Sequence, residues 1–242
     1  MREPKHDSTK MNFQVERFIT FSDGVFAIVI TIMVFELKVP IITKPNDQLL
    51  WDHLREMGLK FLGFFISYGI VGHYWSVHHR IFGYASKYTT ALLWINLGFL
   101  FAVAILPFSS ALLGDYSSYT NMWLPYTVYA LNMCLTGVMN CWLWIYISNP
   151  KRDLLTRKIS KSRIRLGVYL SLVIPIVFIL SLLVSFLFPI TSRIMLLLIP
   201  VILLWGMGGL EKRSNVEEAP VLKTDTEATQ EPEDEKKELA TN

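Results

Sequence analysis

The chain has 242 residues, 52% of them hydrophobic and 13% aromatic, and the apolar residues come in long blocks. That distribution excludes an ordinary soluble domain and places the chain among polytopic membrane proteins. The net charge of +3 has no meaning until it is mapped onto loops, and residues 1–15 are polar, without the apolar stretch of a cleaved signal peptide.

Residues 1–16 read as a cytoplasmic lead, 17–210 as a six-helix membrane domain, and 211–242 as a disordered acidic tail too poor in aromatics to offset the entropy of ordering. The first membrane helix is predicted over Arg17–Leu37, since about 20 residues at 1.5 Å rise cross roughly 30 Å of hydrocarbon. Val39-Pro40 ends it, and Asn46 or Asp47 is placed to cap the next. The second helix, Leu50–His79, is longer than a span requires and carries Gly58, Gly63, Gly69 and Gly72, small residues that allow close helix contact. The third is predicted over Thr89–Leu113, with Asn96 and Pro107 inside it, and the fourth over Asn121–Ile147 with interfacial aromatics near its ends. A basic stretch runs from Lys151 to Arg165; the fifth and sixth helices follow over Leu166–Phe188 and Ile190–Met207. Cys134 and Cys141 lie about 10 Å apart along one helix axis, too far for a disulfide, and with no other ligands they make no metal site.

The basic residues orient this arrangement. Arg2, Lys5, Lys10, Arg80, Lys87 and the Lys151–Arg165 stretch fall on one side, against Lys38, Lys44, Arg55, Lys60 and Arg193 on the other. The bias puts both termini in the cytoplasm and explains the basic loop without nucleic acid; the loop then faces anionic lipid head groups.

No enzyme constellation is present: there is no glycine-rich phosphate loop, no His-Glu-x-x-His, and no paired membrane carboxylates. What stands out is the first helix. Arg17, Ser22 and Asp23 sit in its first third, where a charge costs at least about 2.5–3.5 kcal/mol unless it faces protein or water. Two readings follow, a helix lining a pore or a buried structural polar cluster. For the second, His73, His78, His79 and Asn96 fall at a similar depth, so a cluster of Ser22, Asp23, one histidine and Asn96 is expected. His78 and His79 point about 100° apart and do not share a metal easily. Farther along, Ile28, Ile32 and Phe35 form a stripe at i, i+4 and i+7 with Thr31 beside it, and Ile28 falls near mid-membrane. The Thr-Val-Gly-Tyr-Gly filter of common potassium channels is absent. Glu36 is placed to concentrate cations at the outer mouth, an effect that Lys38 weakens.

Arg17, Phe21, Ser22 and Asp23, in the pattern Arg-x-x-x-Phe-Ser-Asp followed by Gly-Val-Phe-Ala-Ile, resemble the first helix of the transmembrane protein 175 family of potassium channels. The resemblance implies a cation channel, potassium-permeable, with first helices surrounding the pore. A single Phe-Ser-Asp motif matches the one-repeat bacterial form, a homotetramer in the inner (plasma) membrane. By the same resemblance, the apolar constriction five positions beyond the aspartate falls on Ile28, and Thr31 matches another pore-facing position. The expectation is therefore an all-α polytopic channel for monovalent cations, with no cofactor. The alternatives are a secondary transporter, for which Pro107 and Pro175 are candidate helix breaks, and a membrane scaffold.

Overall fold

The computed structural model describes residues 5–43, 46–117, 119, 122–156 and 159–188, with side chains from Val15 onward. The expected sixth helix and acidic tail lie outside these residues. Among them every regular element is helical: α1 (Lys5–Ile32) with a 3-10 turn (Met33–Glu36), α2 (Asp47–Glu56), α3 (Gly58–Phe82), α4 (Thr90–Ala104), α5 (Leu106–Asp115), α6 (Leu124–Ser148) and α7 (Lys161–Ser185). Four stretches are long and apolar enough to cross a membrane: Val15–Glu36, Thr90–Asp115, Leu124–Ser148 and Lys161–Ser185. The 25 residues of α3 span about 37 Å at 1.5 Å per residue, and we read α3 as a further span. Its His73, His78, His79, Arg80 and Lys60 lower its hydropathy, but its outward residues include Leu59, Leu62, Phe65 and Trp75.

Several boundaries differ from those expected. α1 begins at Lys5, well before Arg17, because nothing in the polar lead breaks a helix after Pro4. It leaves the α-form at Ile32 rather than at Leu37. The Thr31 hydroxyl shares the carbonyls of Ala27 and Ile28, both at 2.9 Å, and such back-bonding competes with the ladder; the last turn tightens to 3-10. The single second helix is two: the polar α2, capped by Asn46 Oδ1 on the Leu49 amide at 2.8 Å, is separated from α3 at Met57.

The third helix also breaks, at Ile105, where Pro107 removes a donor from the following turn. Asn132 of α6 enters the gap. With both ends of its amide satisfied, it donates to the Ala102 carbonyl at 3.0 Å and accepts from the Leu106 amide at 3.3 Å and Ser109 Oγ at 2.9 Å. A side chain inserted into the i→i−4 ladder is a recognised cause of a kink.

α6 is the central helix, packing on α4, α5 and α7. Its seam with α7 is very close. A Cβ on Gly137 would lie 2.1 Å from Pro175 Cγ, and one on Gly167 would lie 2.3 Å from Trp144 Nε1. Polar bonds run along the seam: Trp144 Nε1 donates to the Ile164 carbonyl (2.9 Å), Asn140 Nδ2 to Ser171 Oγ (3.0 Å), and Tyr126 meets Ser181. By contrast, Gly58, Gly63, Gly69 and Gly72 of α3 have nothing within 4 Å of a built Cβ. Among the described residues, close helix contact falls on α6 and α7, not on these glycines.

At the opposite end from Glu36, the α3–α4 turn is stitched to the basic loop by an isolated antiparallel bridge between Ala85 and Leu155. Ser86 N to Leu154 O (2.8 Å) and Thr156 N to Tyr84 O (2.9 Å) complete it. Lys87 pairs with Asp153 there and holds that exposed carboxyl below the usual carboxylate range.

Candidate functional site

α1 has two faces with different chemistry. Phe18, Ser22, Phe26, Val29 and, on the turn, Met33 and Glu36 recur every three or four positions and are buried against α3, α4 and α5. The opposite stripe, Arg17, Phe21, Gly24, Ile28, Thr31, Ile32 and Phe35, is exposed. Ile28 is 58% exposed, Ile32 45% and Phe35 76%, against 5% for their neighbour Val29. The stripe is apolar except near Arg17 at its start and at Thr31. Because the Thr31 hydrogen is committed to its own backbone, the side chain offers oxygen lone pairs outward.

Behind α1, Asn96 of α4 is fully buried. Its Nδ2 donates to Ser22 Oγ at 2.9 Å, and its Oδ1 pairs with His78 Nε2 at 2.8 Å. That contact makes Nε2 the protonated nitrogen. Ser22 passes its own hydrogen to the Phe18 carbonyl at 3.0 Å. Phe26, Phe82 and Phe99 close over the His78 ring at 5.6, 4.5 and 5.7 Å, the last of them stacked. The chain Phe18 O–Ser22–Asn96–His78 thus locks α1, α3 and α4 in one rotational setting.

The other expected members of this cluster lie elsewhere. Asp23 is half-buried and accepts from Trp75 Nε1 at 3.0 Å, one face further round α1. His79 is exposed beside the Trp75 ring, and His73 packs on Tyr74 with its Nδ1 lacking a hydrogen-bond partner. Ser22 and Asp23 are adjacent, so a helix turns them about 100° apart and they take different partners. Glu36 also departs from expectation. It is 8% exposed and turns into the bundle, where it does not serve as an outward-facing cation collector.

The difference between the two anchors has a measurable consequence. Asn96→Ala leaves both the Ser22 and His78 contacts unmade, at about 1–3 kcal/mol for each buried group. Asp23→Ala strips one bond from a half-exposed indole, about 1 kcal/mol. In detergent, Asn96→Ala should lower the thermal midpoint clearly more than Asp23→Ala; the reverse order would mean that Asp23 carries the lock.

The family model described as the endosomal/lysosomal potassium channel TMEM175 matches residues 17–107, which hold α1 from Arg17 onward together with α2, α3 and α4. A potassium channel of Streptomyces collinus is 30% identical over 158 residues, 62% of this chain and 76% of that protein. The chain belongs to the TMEM175 family. A potassium channel of a Chryseobacterium species is 34% identical over 122 residues, 50% of this chain and 59% of its relative's length. The crystal structure of a TMEM175 homologue from Chamaesiphon minutus superposes with a TM-score of 0.66 at 23% identity, covering 79% of this chain and 97% of that one. The fold of this TMEM175-family chain is accordingly that of an all-helical, multi-pass membrane protein. The family is one of channels, not enzymes. The matched region contains every member of the Ser22–Asn96–His78 lock and the whole exposed stripe of α1.

Proposed function

We propose that this chain forms a potassium-permeable channel, a homotetramer in which the exposed stripe of α1 from each copy faces a common axis. The observation that carries the reading is the stripe itself. A helix long enough to span the membrane, held in a fixed rotation by a buried hydrogen-bonded lock, turns outward an apolar face around Ile28, Ile32 and Phe35 that stays exposed among the described residues. Single copies of such a face cannot enclose a path; a ring of them can. Ile28 then supplies an apolar constriction near mid-membrane that closes by dewetting. Thr31 supplies a ring of outward lone pairs one turn farther on, with Ile32 and Phe35 lining the wider end. The potassium channels of Streptomyces and Chryseobacterium support the ion class. The basic ends at Arg80, Lys87, Lys151, Arg152, Lys161 and Arg165 support a cytoplasmic N-terminus, with both termini on that side of a bacterial plasma membrane.

Recording the purified protein in planar bilayers between KCl and NaCl tests this. Discrete current steps with a reversal potential displaced toward potassium are expected, together with a crosslinking ladder that ends at the tetramer. Saturable coupled flux without unitary steps would mean a transporter, and neither signal would leave a scaffold.

A further inference from the structure

α7 has one covered face. Ser171, Ile174, Phe178 and Ser181 recur every three or four positions and are buried, on the side where α7 packs against α6. Arg163 falls on the same side, and its guanidinium donates to Tyr84 OH at 3.3 Å. The opposite stripe runs Lys161, Arg165, Tyr169, Ile176, Leu180 and Leu183, all exposed among the described residues. Its members are three, four or seven positions apart and so share one side of the helix.

Along that stripe the chemistry is graded. Two cations come first, then a tyrosine that is 69% exposed, then aliphatic side chains. At 1.5 Å per residue Arg165 lies about 6 Å, Tyr169 about 12 Å and Leu183 about 33 Å beyond Lys161. Helical side chains lean toward the N-terminus, so both cationic heads reach out of the span Lys161–Ser185 at whose start they sit, while their stems cover apolar surface. Neither cation forms an ion pair among the described residues. Between Met57 and Leu210 the acidic residues are Asp115 and Asp153. Asp115 is bound to Lys60 at the far end of the bundle, and Asp153 is bound to Lys87. Positive charge on the stripe is therefore uncompensated. Cβ atoms four residues apart on a helix are about 5–6 Å from one another, which lets Lys161 and Arg165 close on one phosphate.

We propose that this stripe of α7 holds an anionic phospholipid. The phosphate sits on Lys161 and Arg165, the ester region beside the Tyr169 hydroxyl, and an acyl chain along Ile176, Leu180 and Leu183. A zwitterionic lipid brings its own cation to the phosphate and gains less from the pair. The Arg163–Tyr84 bond and the Ala85–Leu155 bridge brace the start of α7 against the α3–α4 turn. The inference is independent of the channel reading, since its readout is bound lipid and not current.

Native mass spectrometry of the full-length protein in detergent, titrated with equimolar phosphatidylglycerol and phosphatidylcholine, tests it. Wild type should retain phosphatidylglycerol in preference. A basic residue near a membrane surface is worth roughly fivefold in affinity for anionic lipid, so Lys161→Gln with Arg165→Gln should lower that preference at least about fivefold. Lys161→Arg with Arg165→Lys keeps both charges and should keep the preference. Arg80→Gln with Lys151→Gln removes the same charge from the same end but off the stripe, and should change the preference by less than about twofold. In a second experiment, a benzophenone amino acid in place of Tyr169 should crosslink to phospholipid in native membranes.

No preference in wild type, or an equal loss in the two glutamine pairs, would overturn the proposal, the second by showing only the general field of the basic end. A benzophenone that crosslinks instead to a second copy, or to residues 190–207 of the same chain, would overturn it by showing the stripe covered by protein.

Discussion

Ile28→Ala should raise single-channel conductance or open probability on the order of tenfold, equivalent to lowering the permeation barrier by ~1.4 kcal/mol. A ring of isoleucines offers a cation no coordination, so an ion passes only when the ring is wide enough to stay wet. Shortening the side chain by three carbons removes much of that barrier, and Ile28→Asn should do so more strongly by adding groups that hold water. Val29 is the control. It lies on the buried face at 5% exposure, whereas Ile28 is 58% exposed, and the two are turned about 100° apart. Val29→Ala should cost about 1–2 kcal/mol of lost packing and leave the current nearly unchanged. Thr31→Ala should preserve conduction but reduce the preference for potassium, because the outward lone pairs disappear while the apolar ring remains. An unchanged current at Ile28 together with an increase at Val29 would mean that the helix presents its other face to the pore.

The contrast between Ile28 and Val29 shows what the sequence could and could not convey. Helix rise alone places Ile28 near mid-membrane, and the spacing of Ile28, Ile32 and Phe35 marks them as sharing a side. Almost every face of that helix is apolar, however, so spacing cannot say which side is covered. The direction is decided by polar residues far away in sequence. Asn96 and His78 are separated from Ser22 by 74 and 56 positions, and the depth argument predicted their meeting only because the topology returns α3 and α4 to the same layer. Depth carries no information on rotation, so it groups Asp23 with Ser22 and does not single out one of His73, His78 and His79. It was blind as well to the pairing at the other end. Ser67, Ser110 and Tyr129 are ordinary residues in three separate helices, and nothing in their local context signals that they meet one another. The helix breaks were half legible: Pro107 announced one, but the side chain that fills it comes from Asn132 on a later helix.

Glycine gave the least reliable signal, and for the same reason. The glycines of α3 attract attention by their number, yet the crowded positions are Gly137 and Gly167, where a ring from α7 or α6 rests on the backbone of its neighbour. Gly137→Ala should therefore be among the most destabilising single substitutions in the chain. The added methyl would fall 2.1 Å from Pro175 Cγ, 2.6 Å from Pro175 Cδ and 3.2 Å from the Ser171 carbonyl. A proline ring cannot rotate away, and the carbonyl is fixed in its helix, so relief requires α6 and α7 to separate by more than 1 Å. Separation stretches the Asn140–Ser171 bond, now 3.0 Å. Within lipid there is little hydrophobic drive to restore contact, since close packing is itself what holds membrane helices together. A loss of about 3 kcal/mol or more is expected, read as a lowered melting temperature and loss of the monodisperse peak in size-exclusion chromatography. Gly98→Ala is the matched control. Its methyl would lie 3.5 Å from the flexible Met139 sulfur, an ordinary contact, and alanine favours the helix by up to about 1 kcal/mol. The double substitution Gly137→Ala with Pro175→Ala should recover most of the loss, because the proline ring supplies the two shortest contacts. A Gly137→Ala protein that melts with wild type, or a double substitution no better than the single one, would show that the α6–α7 seam is not closed in this way.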